Sequence, residues 1–217
     1  DRFVSSKAHL GLILYGVLSK VGFFDFSDVK NTYATPDGRF PVVPTASQTP
    51  GVDMTIDYLG GGLGKGIGLA IAAKKDSRKK NKIVVYIGDG ESSEGSIRES
   101  MEIAGNPNIC LNNLIVIVDK NNLSLEKRIT TYAHNNMIKV WESFGFDAFE
   151  VDGHNAAEVA SIMKCLQLYQ EKPTVIIAHT TKGGNIDNIS NTPQIHYFRE
   201  HLHTDEVVKE IKRLKNI

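Results

Sequence analysis

Lys82-Ile83-Val84-Val85-Tyr86-Ile87-Gly88-Asp89-Gly90-Glu91-Ser92-Ser93-Glu94-Gly95 is the stretch whose reading decides the fold. It begins with a β-branched run that is apolar on both faces, the pattern of a strand buried inside a parallel sheet. Gly88, Asp89 and Gly90 follow at once, and beyond them Ile97, Met101 and Ala104 recur at helical spacing. Strand, tight turn and helix together make the anion-binding geometry of α/β folds. Glycines let the backbone approach a phosphate, and the helix start presents free N–H groups and partial positive charge. Gly88 to Glu91 therefore reads as a binding turn for a phosphorylated cofactor. Asp89 would repel a diphosphate unless a cation lay between them, so it implies Mg2+ or Ca2+ bridging carboxylate and phosphate oxygens. A lone Gly-Asp-Gly is also simply a turn.

A second apolar run, Leu114 to Val118, ends in Asp119-Lys120-Asn121-Asn122-Leu123-Ser124, with Asn121 placed 33 residues after Gly88. One strand-turn-helix-strand unit consumes about that length. Neighbouring parallel strands would then bring Asp89 and Asn121 to one carboxyl edge, where ligands bind in open α/β sheets. The Asp89 carboxylate, the Asn121 amide oxygen and the Leu123 carbonyl would supply half of an octahedral shell. Without the matching Gly-Asp-Gly, Asn121 and Asn122 would read as a turn pair. Thr174 to Ala178 makes a third strand. Helical patterns run through Met137, Val140, Trp141 and Phe144, through Val159, Ile162, Met163 and Leu166, and through Val207, Ile211 and Leu214. Asn155 and Thr204 stand as N-caps before the last two. Alternating strand and helix predicts an α/β chain.

The chain has 217 residues, of which 41% are hydrophobic and 23% charged, within the range of one large folded domain. Lys and Arg balance Asp and Glu to a formal net charge of zero, so no overall field favours nucleic acid or an anionic membrane. The basic run Lys74 to Lys80 follows a helical segment without interleaved aromatics and reads as a solvated helix end. No apolar stretch reaches the ~20 residues of a bilayer span. Cys110 and Cys165 lack metal spacing and are expected to be reduced, buried thiols. Asp1 opens the chain without a leader, so some N-terminal residues are expected to be missing and the location cytoplasmic. Gly60, Gly64, Gly68 and Ala72 recur every four residues, a smooth helix side suited to close approach of a second backbone.

Gly-Asp-Gly followed about thirty residues later by Asn is similar to the thiamine diphosphate signature, and the flanking text resembles transketolase. The matching stretches are Asp1-Arg2-Phe3-Val4-Ser5-Ser6-Lys7-Ala8-His9, Thr49-Pro50-Gly51-Val52-Asp53-Met54 and Leu59-Gly60-Gly61-Gly62-Leu63, and the likeness runs from Asp1 to about Tyr197. The resemblance implies a three-layer αβα thiamine diphosphate-binding fold with a mostly parallel sheet, in one diphosphate-type domain over 1–217. It implies that His9 and His196 approach the diphosphate and take part in catalysis. Leu59 and Gly60 would contact the aminopyrimidine side, Gly90 would let the diphosphate sit close, and Asp89, Asn121 and Leu123 would hold Mg2+. Glu94 and Glu99 match acidic residues that link two active sites in that family. As plain residues they read as acids favoured at a helix start.

The likeness covers only the first module of transketolase. The activating Glu and the sugar-phosphate clasp belong to the second module in that family, so a separate pyrimidine-module subunit is expected, in a dimer or heterotetramer. The expected reaction is transfer of a two-carbon ketol unit from a ketose donor to an aldehyde. The alternatives are the first component of a 2-oxoacid dehydrogenase and a non-catalytic binding module. Asp37-Gly38-Arg39-Phe40-Pro41 stands where the family has Gly-His-Pro, so the substrate is expected to depart from an ordinary sugar phosphate.

Overall fold

The computed structural model describes residues 1–76, 81–125, 127–184, 190–191 and 204–214. In chain order the elements are β1 (Arg2–Ser5), α1 (Gly11–Lys20), α2 (Phe26–Thr32), α3 (Gly61–Lys75), β2 (Ile83–Gly88) and α4 (Gly95–Ala104). There follow β3 (Leu114–Lys120), the short strands β4 (Leu123–Ser124) and β5 (Lys127–Arg128), α5 (Tyr132–Asn135) and α6 (Met137–Ser143). The remaining elements are β6 (Asp147–Asp152), α7 (Ala156–Leu168), β7 (Thr174–His179) and α8 (Thr204–Leu214). Five strands form one sheet in the order β1-β2-β3-β7-β6, and every pairing in it is parallel. β4 and β5 form a separate antiparallel hairpin.

The apolar runs 83–88, 114–120 and 174–179 occupy the centre because both of their faces are covered. On β3, Leu114, Val116 and Val118 join a core with Leu63, Ile67, Ile97, Met101 and Trp141 from α3, α4 and α6. The intervening Ile115 and Ile117 face Val159, Ile162, Met163 and Leu166 of α7. Period-two alternation thus divides one strand between two helical layers, giving the expected αβα sandwich. The edge strands β1 and β6 lack that signature. β6, Asp147-Ala148-Phe149-Glu150-Val151-Asp152, buries only Val151 fully, and its polar alternation hides it from a search for apolar runs.

Asn155 caps α7 as expected, its side chain accepting the Glu158 N–H at 3.2 Å. Thr204 is the first residue of α8. The irregular stretch 31–50 is anchored by Phe40, which packs on Tyr15 and Phe24 in a third, aromatic cluster. Both cysteines are exposed rather than buried. Cys110 lies in the loop after α4 with φ 52°, and Cys165 sits on the outer side of α7, so neither side chain reaches a core.

The glycines of α3 divide by partner. Gly60 (φ 83°) and Gly64 face α4 of the same chain, where a Cβ would meet Glu94 Cβ at 2.9 Å and Ser100 Oγ at 3.3 Å respectively. Gly68, the third member of the smooth stripe, faces open space. The tightest approach falls on other glycines, Gly62 against Ser6 and Gly66 against Val85, which let α3 settle onto β1 and β2. Gly62→Ala is expected to destabilise the chain by about 1–3 kcal/mol through overpacking, because the Ser6 backbone cannot retreat. Gly68→Ala should stabilise it by up to ~1 kcal/mol through helix propensity. Urea denaturation of both variants reads the two signs, and equal shifts would contradict this account of α3.

Candidate cofactor and metal site

β2 delivers Asp89 to the carboxyl edge of the sheet, and β3 delivers 119–123 beside it, with Gly88 and Asp119 in register. Asp89 is 2% exposed. Its Oδ1 accepts the Gly90 N–H at 2.8 Å, and its Oδ2 accepts the Asn122 N–H at 2.6 Å. His134 Nε2 lies 3.2 Å from Oδ2. The 33-residue spacing therefore produces the expected juxtaposition, through the backbone of the Asn121–Leu123 turn. Asn122 adopts φ 63°, the left-handed conformation that Asn tolerates, and this folds the turn back over β2. Asn121 is buried, with Oδ1 accepting the Leu123 N–H at 3.0 Å and Nδ2 donating to Asp119 Oδ2 at 3.4 Å.

Asp119 ties the strand ends together. Its carboxylate accepts from Lys7 Nζ beyond β1, from Thr180 Oγ1 beyond β7, and from Asn121 Nδ2. Burial pushes the Asp119 carboxyl upward, but the Lys7 charge and the hydrogen bonds from Lys7, Thr180 and Asn121 outweigh it and hold the group below the ordinary carboxylate range. Lys182 is pushed down by burial and by the Lys7 charge, against the upward pull of Asp89 and Asp119. Two lysines thus stand at the edge where an anionic ligand would meet Asp89.

Glu91 is buried inside the same turn and clamps three segments. Oε1 accepts from Ser6 Oγ and from the Gly60 N–H at 3.0 Å, and Oε2 accepts the Gly88 N–H at 3.1 Å. A carboxylate suits this position because it only accepts, and all three groups donate. Glu91→Ala would strand the donors, at about 1–3 kcal/mol for each that water does not reach. The variant is expected to unfold at a denaturant midpoint well below that of Glu91→Gln, which keeps one oxygen for Ser6 and Gly60. Matching midpoints would show that the clamp carries no stability.

The other residues singled out from the sequence lie on several elements. His9 is exposed on a 3-10 turn (Ala8–Leu10) after β1. Leu59 is exposed and Gly60 buried at the start of α3. Glu94 is half-buried at the N-cap of α4 beside Gly60, and Glu99 is exposed on the next turn. His196 lies outside the described residues. Lys7, Asp119, Thr180 and His134 escape sequence reasoning. Lys7 adjoins the quoted Ala8-His9 pair and Asp119 precedes Asn121 by two, but nothing local marks His134, because a four-residue helix carries it to Asp89 from 45 residues away.

These residues fit a hard divalent cation. Among the described residues no three His, Cys, Asp or Glu side chains gather as a metal cluster. The edge instead offers one buried carboxylate, Asp89, beside the Asn121–Leu123 turn, and oxygen donors of this kind would suit Mg2+ together with phosphate and water. Gly90 lets the turn pack against the β4–β5 hairpin, because a Cβ there would sit 3.0 Å from Ser124 Oγ.

Comparison with known proteins accords with this geometry. Residues 1–215 match the family model described as transketolase, thiamine diphosphate binding domain. The chain is 37% identical over its whole length to one of the subunits of the apulose-4-phosphate transketolase of Actinobacillus succinogenes, covering 76% of that protein. It is 34% identical over 84% of its length to the 6-deoxy-6-sulfo-D-fructose transketolase subunit SqwG of Clostridium sp., covering 66% of it. Among solved structures, 89% of the chain superposes on transketolase from Campylobacter jejuni with TM-score 0.79 and 29% identity. The chain spans 31% of that transketolase, against 76% and 66% of the two split-enzyme relatives. The relatives are transketolases or transketolase subunits, which does not favour the 2-oxoacid dehydrogenase or non-catalytic alternatives. Fold and sequence likeness agree, and the chain belongs to the transketolase thiamine diphosphate-binding domain family.

Proposed function

We propose that residues 1–217 form the diphosphate-binding module of a split transketolase, which holds thiamine diphosphate through a divalent cation and acts with a second subunit carrying the pyrimidine module. The observation that carries this reading is buried Asp89 set against the Asn121–Leu123 turn at the carboxyl edge of the sheet. Asp89, Asn121 and the Leu123 carbonyl hold the cation, Gly88 to Glu91 form the turn under the diphosphate, and His9 approaches it. When bound, thiamine diphosphate would supply the chemistry of two-carbon ketol transfer. The chain's own residues bind, orient and exclude water on one side. Tyr58 and Leu59 are exposed beside Gly60, an apolar surface that suits the aminopyrimidine side of the cofactor and the pyrimidine-module partner. Glu94 and Glu99 extend that surface, in keeping with a heterotetramer of two such pairs.

No histidine stands in the 37–41 segment, where Phe40 is turned into the aromatic cluster and Arg39 is exposed. The split relatives are named for apulose 4-phosphate and for a sulfonated sugar, and a branched or otherwise modified ketose fits this chain for the same reason. Among the described residues no helix is long and apolar enough to cross a membrane. Handling charged sugars that do not cross bilayers fits a cytoplasmic enzyme.

The test is to co-purify the chain with its pyrimidine-module partner and supply ketose phosphates and modified ketoses with an aldose acceptor. Mass spectrometry should show two carbons leaving the donor and appearing on the acceptor. Release of carbon dioxide from a 2-oxoacid, with no ketol transfer, would overturn the reading.

A further inference from the structure

The geometry points to His134 as a positioning residue that fixes the Asp89 carboxylate so that Oδ1, and not Oδ2, is the oxygen presented to the cation. This rests on the reading of Asp89 as a cation ligand. His134 is 4% exposed and sits on α5, whose start is capped by Thr131 Oγ1 accepting the His134 N–H at 3.3 Å. Its ring reaches Asp89 Oδ2 through Nε2 at 3.2 Å, while Nδ1 is buried with no hydrogen-bond partner among the described residues.

A carboxylate oxygen only accepts, so Nε2 carries the hydrogen, and Nδ1 is then a bare lone pair rather than a stranded donor. Each carboxylate oxygen has two lone-pair directions. On Oδ2 both are taken, one by the Asn122 N–H and one by His134. Oδ1 gives one to the Gly90 N–H and, among the described residues, keeps one. The remaining direction on Oδ1 is the one a metal can use. Hydrogen bonds of this type hold a metal-binding carboxylate at one angle, and their loss typically weakens metal affinity about 10–100-fold. Ser92, Ser93, Arg98, Ala133, Met137 and Val140 line a cavity beside the ring of about 10 Å3, room for roughly one water.

The competing role is packing alone, and side-chain shape separates the two. Gln places an N–H near the position of Nε2, whereas Leu fills the volume and donates nothing. Mn2+ binding is measured by electron paramagnetic resonance on the full chain with thiamine diphosphate present, for the wild type, His134→Leu, His134→Gln and Asp89→Ala. Circular dichroism and thermal melting monitor the fold of each. His134→Leu is expected to bind Mn2+ about 10–100-fold more weakly while remaining folded, and His134→Gln to stay within about threefold of wild type. Wild-type affinity in folded His134→Leu, alongside lost affinity in Asp89→Ala, would reduce His134 to a packing residue and overturn the proposal. Should the Leu variant not fold, a folded Gln variant weakened tenfold or more overturns it equally. Absence of Mn2+ binding in the wild type, or wild-type affinity in Asp89→Ala, would overturn the metal-site reading beneath it.

Discussion

Purified alone, the chain is expected to transfer no ketol unit, and addition of its pyrimidine-module partner should raise turnover by at least ~10^3-fold, the scale of an acid-base contribution. The activating Glu of the family has no counterpart in the residues that match here, and Tyr58 and Leu59 leave one flank of the site open to water. Thiamine chemistry requires a dry, oriented cofactor, because water competes for every dipole that would steady developing charge. A single module provides at most half of that enclosure. The measurement is a coupled aldose-ketose assay on the chain, on the partner and on the mixture. Turnover by the chain alone at the rate of the mixture would sink the split-enzyme account.

Asp89→Ala is expected to weaken thiamine diphosphate binding at least ~100-fold, equivalent to about 2.7 kcal/mol. The variant removes the carboxylate that would attract the cation, and it leaves the Gly90 and Asn122 N–H groups without their acceptor. Stability should therefore fall as well, by about 1–3 kcal/mol for each donor that water does not reach. Asp89→Asn separates the two effects. Its amide oxygen still accepts hydrogen bonds, so folding should be closer to wild type while the charge that attracts the cation is gone. A chelator should weaken binding to the wild type in the same way and change Asp89→Ala little. Isothermal titration calorimetry with and without chelator is the check, and equal affinity in its presence would exclude a metal bridge.

The central strands and the helices beside them are legible in the sequence because their physics is local. The runs 83–87, 114–118 and 174–178 are apolar on both faces, and the helical spacings of 97–104 and 159–166 repeat along one side, whatever lies around them. The meeting of Asp89 with the 121–123 turn is legible too, since 33 residues between two strand ends leaves room for one crossover helix and little else. β1 and β6 are not legible, because an edge strand needs only one good neighbour and tolerates polar residues on its open side. The exposure of the cysteines is hidden for a related reason: composition ranks residue types, but Cys110 follows a loop held by its own backbone contacts and ends at the surface.

By itself, then, the sequence determined the α/β class, the parallel core, the turn that would bear a diphosphate and the family to which the chain belongs, all of which rest on short-range pattern or ordered motifs. Tertiary structure decided the rest. Glu91 became a three-way clamp only because β1, the start of α3 and the end of β2 meet around it. Asp119 became a hub because strands distant in sequence end side by side. His134 became the partner of Asp89 because a turn beyond the β4–β5 hairpin folds back over the site. A side chain's donors and acceptors are written in the sequence, but which of them meet is set by how strands and helices pack, and no local spacing encodes that.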